Sequence, residues 1–62
     1  MNIEKIKEIM RDKGIRAMDI VAVTGLPKQT ISSIVRGEVS DPRISTVKKI
    51  ANALEVTIDE IA

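Results

Sequence analysis

The residues best suited to chemistry stand together in "LPKQTISSIVRG", residues 26–37, where Lys28, Gln29, Ser32, Ser33 and Arg36 are set among Ile31, Ile34 and Val35. At about 100° per helical residue, with Lys28 as zero, the three apolar side chains fall roughly between 240° and 340°. Gln29, Ser32, Ser33 and Arg36 fall roughly between 40° and 140°, with Lys28 at the edge. A helix here presents one apolar stripe and, on its other side, short uncharged polar groups with a cation near each end. A face that is merely solvated usually carries Glu, Lys and Ala, which are better helix formers than Ser. Adjacent serines leave room for close approach to another surface. A Gln amide donates and accepts two parallel hydrogen bonds, the pattern adenine presents in a major groove, and a Lys ammonium donates to guanine acceptors. The chemistry is hydrogen-bonded recognition. The plain alternative is a solvated helix with no partner.

Bond-making chemistry finds little support. The chain has no His and no Cys, so the commonest transition-metal ligands, general bases and nucleophiles are missing. No two carboxylates recur at a spacing that suggests a paired acid and base. An enzyme is not expected, nor are a cofactor or a metal. Disulfides are excluded. Residues 1–36 carry seven cations and four anions, residues 37–62 three and five. That asymmetry is a mild pointer to a polyanion-facing end.

The elements that must position these residues are helices. At 62 residues the chain is one domain, residues 1–62, and so short a chain buries only ~60% of its unfolded surface, which makes each apolar residue count. Hydrophobic residues are 44% of the sequence and none is aromatic, a composition suited to close-packed short helices. Ile3, Ile6, Ile9 and Met10 recur at helical spacing, with Asn2 as a cap and Gly14 after the end. "RAMDIVAVTG" is a short helix ending at Gly25, and Pro27 suits the first turn of the next, which runs to Arg36 and stops at Gly37. After the turn-rich "GEVSDPR", Ser45 is expected to cap a fourth helix with Val47, Ile50, Ala51 and Leu54 facing inward. "TIDE", Thr57 to Glu60, has the form of a capping box and opens a last helix with Ile58 and Ile61 turned to the core. No strand-like alternation appears. The expected architecture is all-α, with five short helices. No apolar run approaches the ~20 residues of a membrane span and no signal-peptide core is present, so a cytoplasmic location is expected.

A helix, the tight "TGLP" connection and the polar-faced helix make a helix-turn-helix, whose second member enters a major groove. Over nearly its whole length the chain resembles the phage-repressor and Cro-type (xenobiotic-response-element-type) helix-turn-helix regulators. The resemblance lies in "GIRAMDIVAVTGLPKQTISSIVRGEVSDPR" and "ISTVKKIANALEVTIDEIA". Ile20, Val21, Gly25, Thr30, Ile31, Ile34, Gly37, Pro42, Ile50, Ala51, Leu54, Val56 and Ile61 fall at the family's structural positions without gaps. It implies a compact, lambda-repressor-like five-helix fold with a recognition helix at about 27–36. It also implies that Lys28, Gln29, Ser32 and Ser33 touch base edges, and that Arg16, Ala17, Thr30, Arg36 and Arg43 touch the sugar-phosphate backbone. For Arg43 the competing reading is a surface side chain balancing Asp41.

The chain departs from the family pattern at several places. The second helix opens with Arg16 and Ala17 where relatives often have a hydroxyl cap followed by Gln. An Arg there opposes the helix dipole unless an anion is near, and a DNA phosphate is one such anion. Met10 and Val35 stand where many relatives pair a basic residue with Glu; an apolar pair there is expected to be neutral or stabilising. Glu55 stands where a Gly usually ends the fourth helix, so it either adopts positive φ or shifts the boundary. Ala17, Met18, Ala22 and Val23 make the second helix unusually apolar.

The resemblance implies sequence-specific double-stranded DNA binding by a transcriptional regulator, with repressor as the leading reading, and the few cations of one module imply a homodimer on a palindrome. The dimer contacts expected are the 38–44 loop and the fourth-to-fifth helix region, through Val39, Ile44 and Val56. The alternative is a protein-interaction module, such as an antitoxin or adaptor, that grips a protein partner with its apolar second helix. Ending at Ala62 fits either a whole small regulator or a fragment.

Overall fold

In a computed structural model the described residues form five helices: α1 (Ile3–Lys13), α2 (Ala17–Thr24), α3 (Lys28–Val35), α4 (Ile44–Leu54) and α5 (Ile58–Ile61). The structure describes residues 1–39 and 42–62. Among these residues the expected five-helix, all-α reading holds. α2 packs on α3 and α4, α1 on α3 and α5, and α4 on α5, so α2 and α3 are held by helices on their inner sides.

The core is built from the periodic apolar positions. Ile6 and Ile9 of α1, Ile20 of α2, Ile31 and Ile34 of α3, Val47, Ile50, Ala51 and Leu54 of α4, and Ile61 of α5 are all buried. Ile3, Met10, Val21, Val35, Val56 and Ile58 pack half-buried around them. Met10 and Val35 thus extend the apolar core, and no charged side chain is buried among the described residues. Beta-branched residues dominate this interior, and their restricted χ1 limits the entropy lost on packing.

Helix ends follow local chemistry in most places. The Asn2 side-chain oxygen accepts from the backbone N–H of Lys5 at 3.0 Å, the expected cap of α1. The Asn2 backbone N–H donates to the Ile61 carbonyl at 2.7 Å and ties the N-terminus to α5. Two expected side-chain caps are not made. α4 begins at Ile44 with Arg43 as its N-cap, and the Arg43 carbonyl accepts from Thr46 and Val47 at 2.9 and 3.0 Å; Ser45 lies inside the helix and caps nothing. Thr57 is the N-cap of α5, but its side chain makes no capping hydrogen bond. At Glu55 the choice is settled: it sits at φ 60°, ψ 41° in the left-handed region.

That strained residue is braced from a distant element. The Lys13 ammonium donates to the Leu54 carbonyl at 2.7 Å and lies 3.4 Å from that of Glu55. A cation at the carbonyl end of α4 satisfies an otherwise orphaned acceptor and complements the helix dipole. Periodicity gave no sign of it, because the partners lie 41 positions apart.

Candidate nucleic-acid interface

Two short helices and the turn between them set the geometry. Gly25 ends α2 at φ 74°, ψ 7°, and its N–H donates to the Val21 carbonyl at 2.9 Å. Nothing crowds a Cβ built at Gly25, so the requirement there is the positive φ itself. The Thr24 hydroxyl fastens both sides of the turn, donating to the Ile20 carbonyl at 2.7 Å and accepting from the Leu26 N–H at 3.2 Å. Pro27 then precedes α3 as its N-cap, one position earlier than the first-turn placement expected, and its carbonyl accepts from Ile31 at 3.1 Å.

α3 buries Ile31 and Ile34 against the core. Lys28 and Gln29, at its N-terminus, are exposed; Thr30, Ser32 and Ser33 are half-buried. The angular plot had grouped Ser32 and Ser33 with Gln29, and the structure grades them: the N-terminal pair is the more open. Long side chains at the tip and short ones behind them make a face that can enter a groove ~12 Å wide. At the far end the helix closes with Gly37 at φ 77°. The Gly37 N–H donates to Ile34 and the Glu38 N–H to Ser33, at 3.0 and 2.9 Å, a Schellman closure. Arg36, the C-cap, is exposed and pairs with Glu38, its Nε 2.9 Å from Oε2.

A cation stands at three successive helix starts. Arg16 is the N-cap of α2, Lys28 the first residue of α3 and Arg43 the N-cap of α4, and all are exposed. In α2 the Asp19 carboxylate accepts from the Arg16 N–H at 2.8 Å, which offsets the local positive potential. Arg16 has no acceptor with which to complete the box. The first turns of α3 and α4 hold no acidic residue. A positive dipole end beside a cation favours an anion, and free first-turn N–H groups supply donors. Ala17 is half-buried, so its contribution to an anion would be its backbone N–H. Asp41, the alternative partner of Arg43, lies outside the described residues.

This two-helix unit, with the α3 face open and its base packed on α1 and α2, has the form expected of a helix-turn-helix. A family model described as the Cro/C1-type HTH DNA-binding domain matches residues 5–62. The chain belongs to this family. Cro/C1-type domains are DNA-binding modules of transcription regulators rather than enzymes. A relative in Bacillus subtilis (strain 168) is the SPbeta prophage-derived uncharacterized HTH-type transcriptional regulator YotL, 33% identical over 57 residues, which are 92% of this chain and 71% of that protein. No solved structure matches the chain. Among the described residues no helix is long and apolar enough to cross a membrane.

The Cro/C1-type reading leaves α2 with more apolar surface than its packing uses. Ile20 is buried and Val21 half-buried, while Met18, Ala22 and Val23 are exposed. Of the residues expected at a dimer contact, Ile44 is 62% exposed, whereas Val39 and Val56 are half-buried against the core. Ile44 borders an apolar groove with Met1, Pro42, Val47, Ile58 and Ala62. The part of the 38–44 loop at residues 40 and 41 lies outside the described residues.

Proposed function

We propose that this chain is the sequence-reading domain of a cytoplasmic transcriptional repressor that places α3 in the major groove of a palindromic operator and binds it as a homodimer. The observation that carries the reading is the open N-terminus of α3, where Lys28 and Gln29 project beside an unopposed positive helix end. In this reading Lys28, Gln29, Ser32 and Ser33 read base edges. Arg16, Ala17, Thr30, Arg36 and Arg43 set the register on the sugar-phosphate backbone.

Dimerisation follows from affinity. A single module with few cations binds duplex DNA nonspecifically at only ~10⁻⁴ to 10⁻⁶ M. Two copies on half-sites ~34 Å apart multiply the base contacts. Each copy measures 24 × 22 × 18 Å across its Cα atoms, so with side chains added two neighbours on such an operator would come within reach of each other. Ile44 and the groove beside it offer apolar surface for that meeting.

The test is selection from a random duplex pool, followed by sedimentation of the protein with and without the enriched sequence. Enrichment of one palindrome, binding that weakens steeply with salt, and two copies per site are the expected result. Ile44→Ser, which removes apolar surface without adding charge beside Arg43, should then lower operator affinity while leaving single-half-site binding unchanged. A second reading, a protein-interaction module of antitoxin or adaptor type, draws on Met18 and Val23, 58% and 59% exposed on α2. A flat salt response with no enriched sequence would favour it over the repressor.

A further inference from the structure

We propose that Glu38 restrains Arg36: its carboxylate competes with a DNA phosphate for the guanidinium and so lowers affinity for duplex DNA of any sequence. The inference rests on the reading that α3 faces duplex DNA. The guanidinium Nε lies 2.9 Å from one carboxylate oxygen and a terminal nitrogen lies 3.5 Å from the other. Both side chains are exposed, 61% and 56%, so a phosphate has free access to the same donors.

The pairing follows from backbone geometry. The Glu38 N–H closes the end of α3 on the Ser33 carbonyl, which fixes the Glu38 backbone two residues beyond Arg36. The corresponding position after α1 is Ile15 and after α4 is Val56, whose N–H groups close their helices on Met10 and Ala51. Both pack against the core, the usual apolar contact of this closure. After α3 the place is taken by an exposed acid, so packing does not account for it.

Electrostatics gives the consequence. Lys28 and Arg36 are the two cations of the segment 26–37. A guanidinium held by a carboxylate neutralises less phosphate charge, and each phosphate neutralised contributes about 0.9 to the salt slope. The effect falls on the sequence-independent term, because phosphate contacts position the protein and base contacts specify. Occupancy then depends more heavily on base readout and on a second copy.

The experiment uses the whole chain and a mixed-sequence duplex, titrated by fluorescence anisotropy between ~50 and ~200 mM salt. Four proteins are compared: wild type, Glu38→Gln, Arg36→Gln and the double variant. Glu38→Gln is expected to bind about two- to fivefold more tightly at low salt, the range of exposed ion pairs, with a slope steeper by up to about 0.9. The gain should shrink or vanish when Arg36 is already Gln. Thermal melts keep any folding loss apart, and the cap itself uses the Glu38 backbone, which the substitution leaves in place. No change on Glu38→Gln, or an equal gain with and without Arg36, overturns the proposal; the second result would mean that the carboxylate simply repels phosphate. Lys28→Ala separates the two levels of inference. If it weakens binding while Glu38→Gln does nothing, only the Glu38 proposal falls. If neither Lys28→Ala nor Arg36→Gln alters binding, the DNA-facing reading of α3 falls and takes this one with it.

Discussion

Gln29 is the side chain on which base readout turns in our proposal. It is exposed near the start of α3, beside Lys28, while Ser32 and Ser33 sit deeper. A bidentate amide contact discriminates between bases by about 1–3 kcal/mol. Gln29→Ala should therefore cost that amount on the selected operator and little on a mixed duplex, measured by parallel titrations. Arg16 is expected to act differently. It caps α2 against the dipole, with Asp19 occupying only its backbone N–H. Arg16→Ala should weaken binding to every sequence alike and flatten the salt slope by about one ion; a slope equal to that of wild type would remove Arg16 from the interface. The polar face of residues 28–36 was legible from an angular plot, because helical period alone sets direction. How far each side chain stands out was not legible, since depth depends on the neighbours that α1 and α2 bring.

Elements end where the backbone finds partners, and the sequence marks some of those ends better than others. Asn2, Gly14 and Gly25 fell where expected, because a side-chain acceptor and a residue without Cβ act locally. Ser45 was misread as a cap. A hydroxyl signals a cap only if the chain turns at that residue, and α4 turns two residues earlier, at Arg43. Glu55 carries the clearest energetic consequence. An L-residue in the left-handed region gives up roughly 1 kcal/mol or more, while Lys13 braces the neighbouring carbonyls. Glu55→Gly relieves the strain but gives the unfolded chain more freedom. A net gain of about 0.5–1 kcal/mol follows, read as a rise of several degrees in melting temperature. A lower melting temperature would contradict the strain argument.

The whole molecule has little stability to spare. Its interior is aliphatic and rests on residues such as Ile6, Ile20, Ile31, Leu54 and Ile61, each 0–1% exposed. Removing most of one such side chain costs about 2–5 kcal/mol, against a total of about 5 kcal/mol at the low end of the ordinary range. Leu54→Ala should therefore lose its helical circular dichroism at or below 37 °C. DNA binding should fall in proportion to the folded fraction. A native-like melt would show that the remaining core can close over the gap. On its own, the order of residues determined the helical class, the inward positions and the polar face of the third helix, since these follow from the period of the α-helix and from local chemistry at turns. The folded chain decided the rest: the Lys13 clamp on α4, the graded exposure behind Gln29, the left-handed Glu55 and the hold of Glu38 on Arg36. Each depends on distances between parts of the chain, or on the direction in which the backbone leaves a helix, and neither is a property of spacing along the sequence.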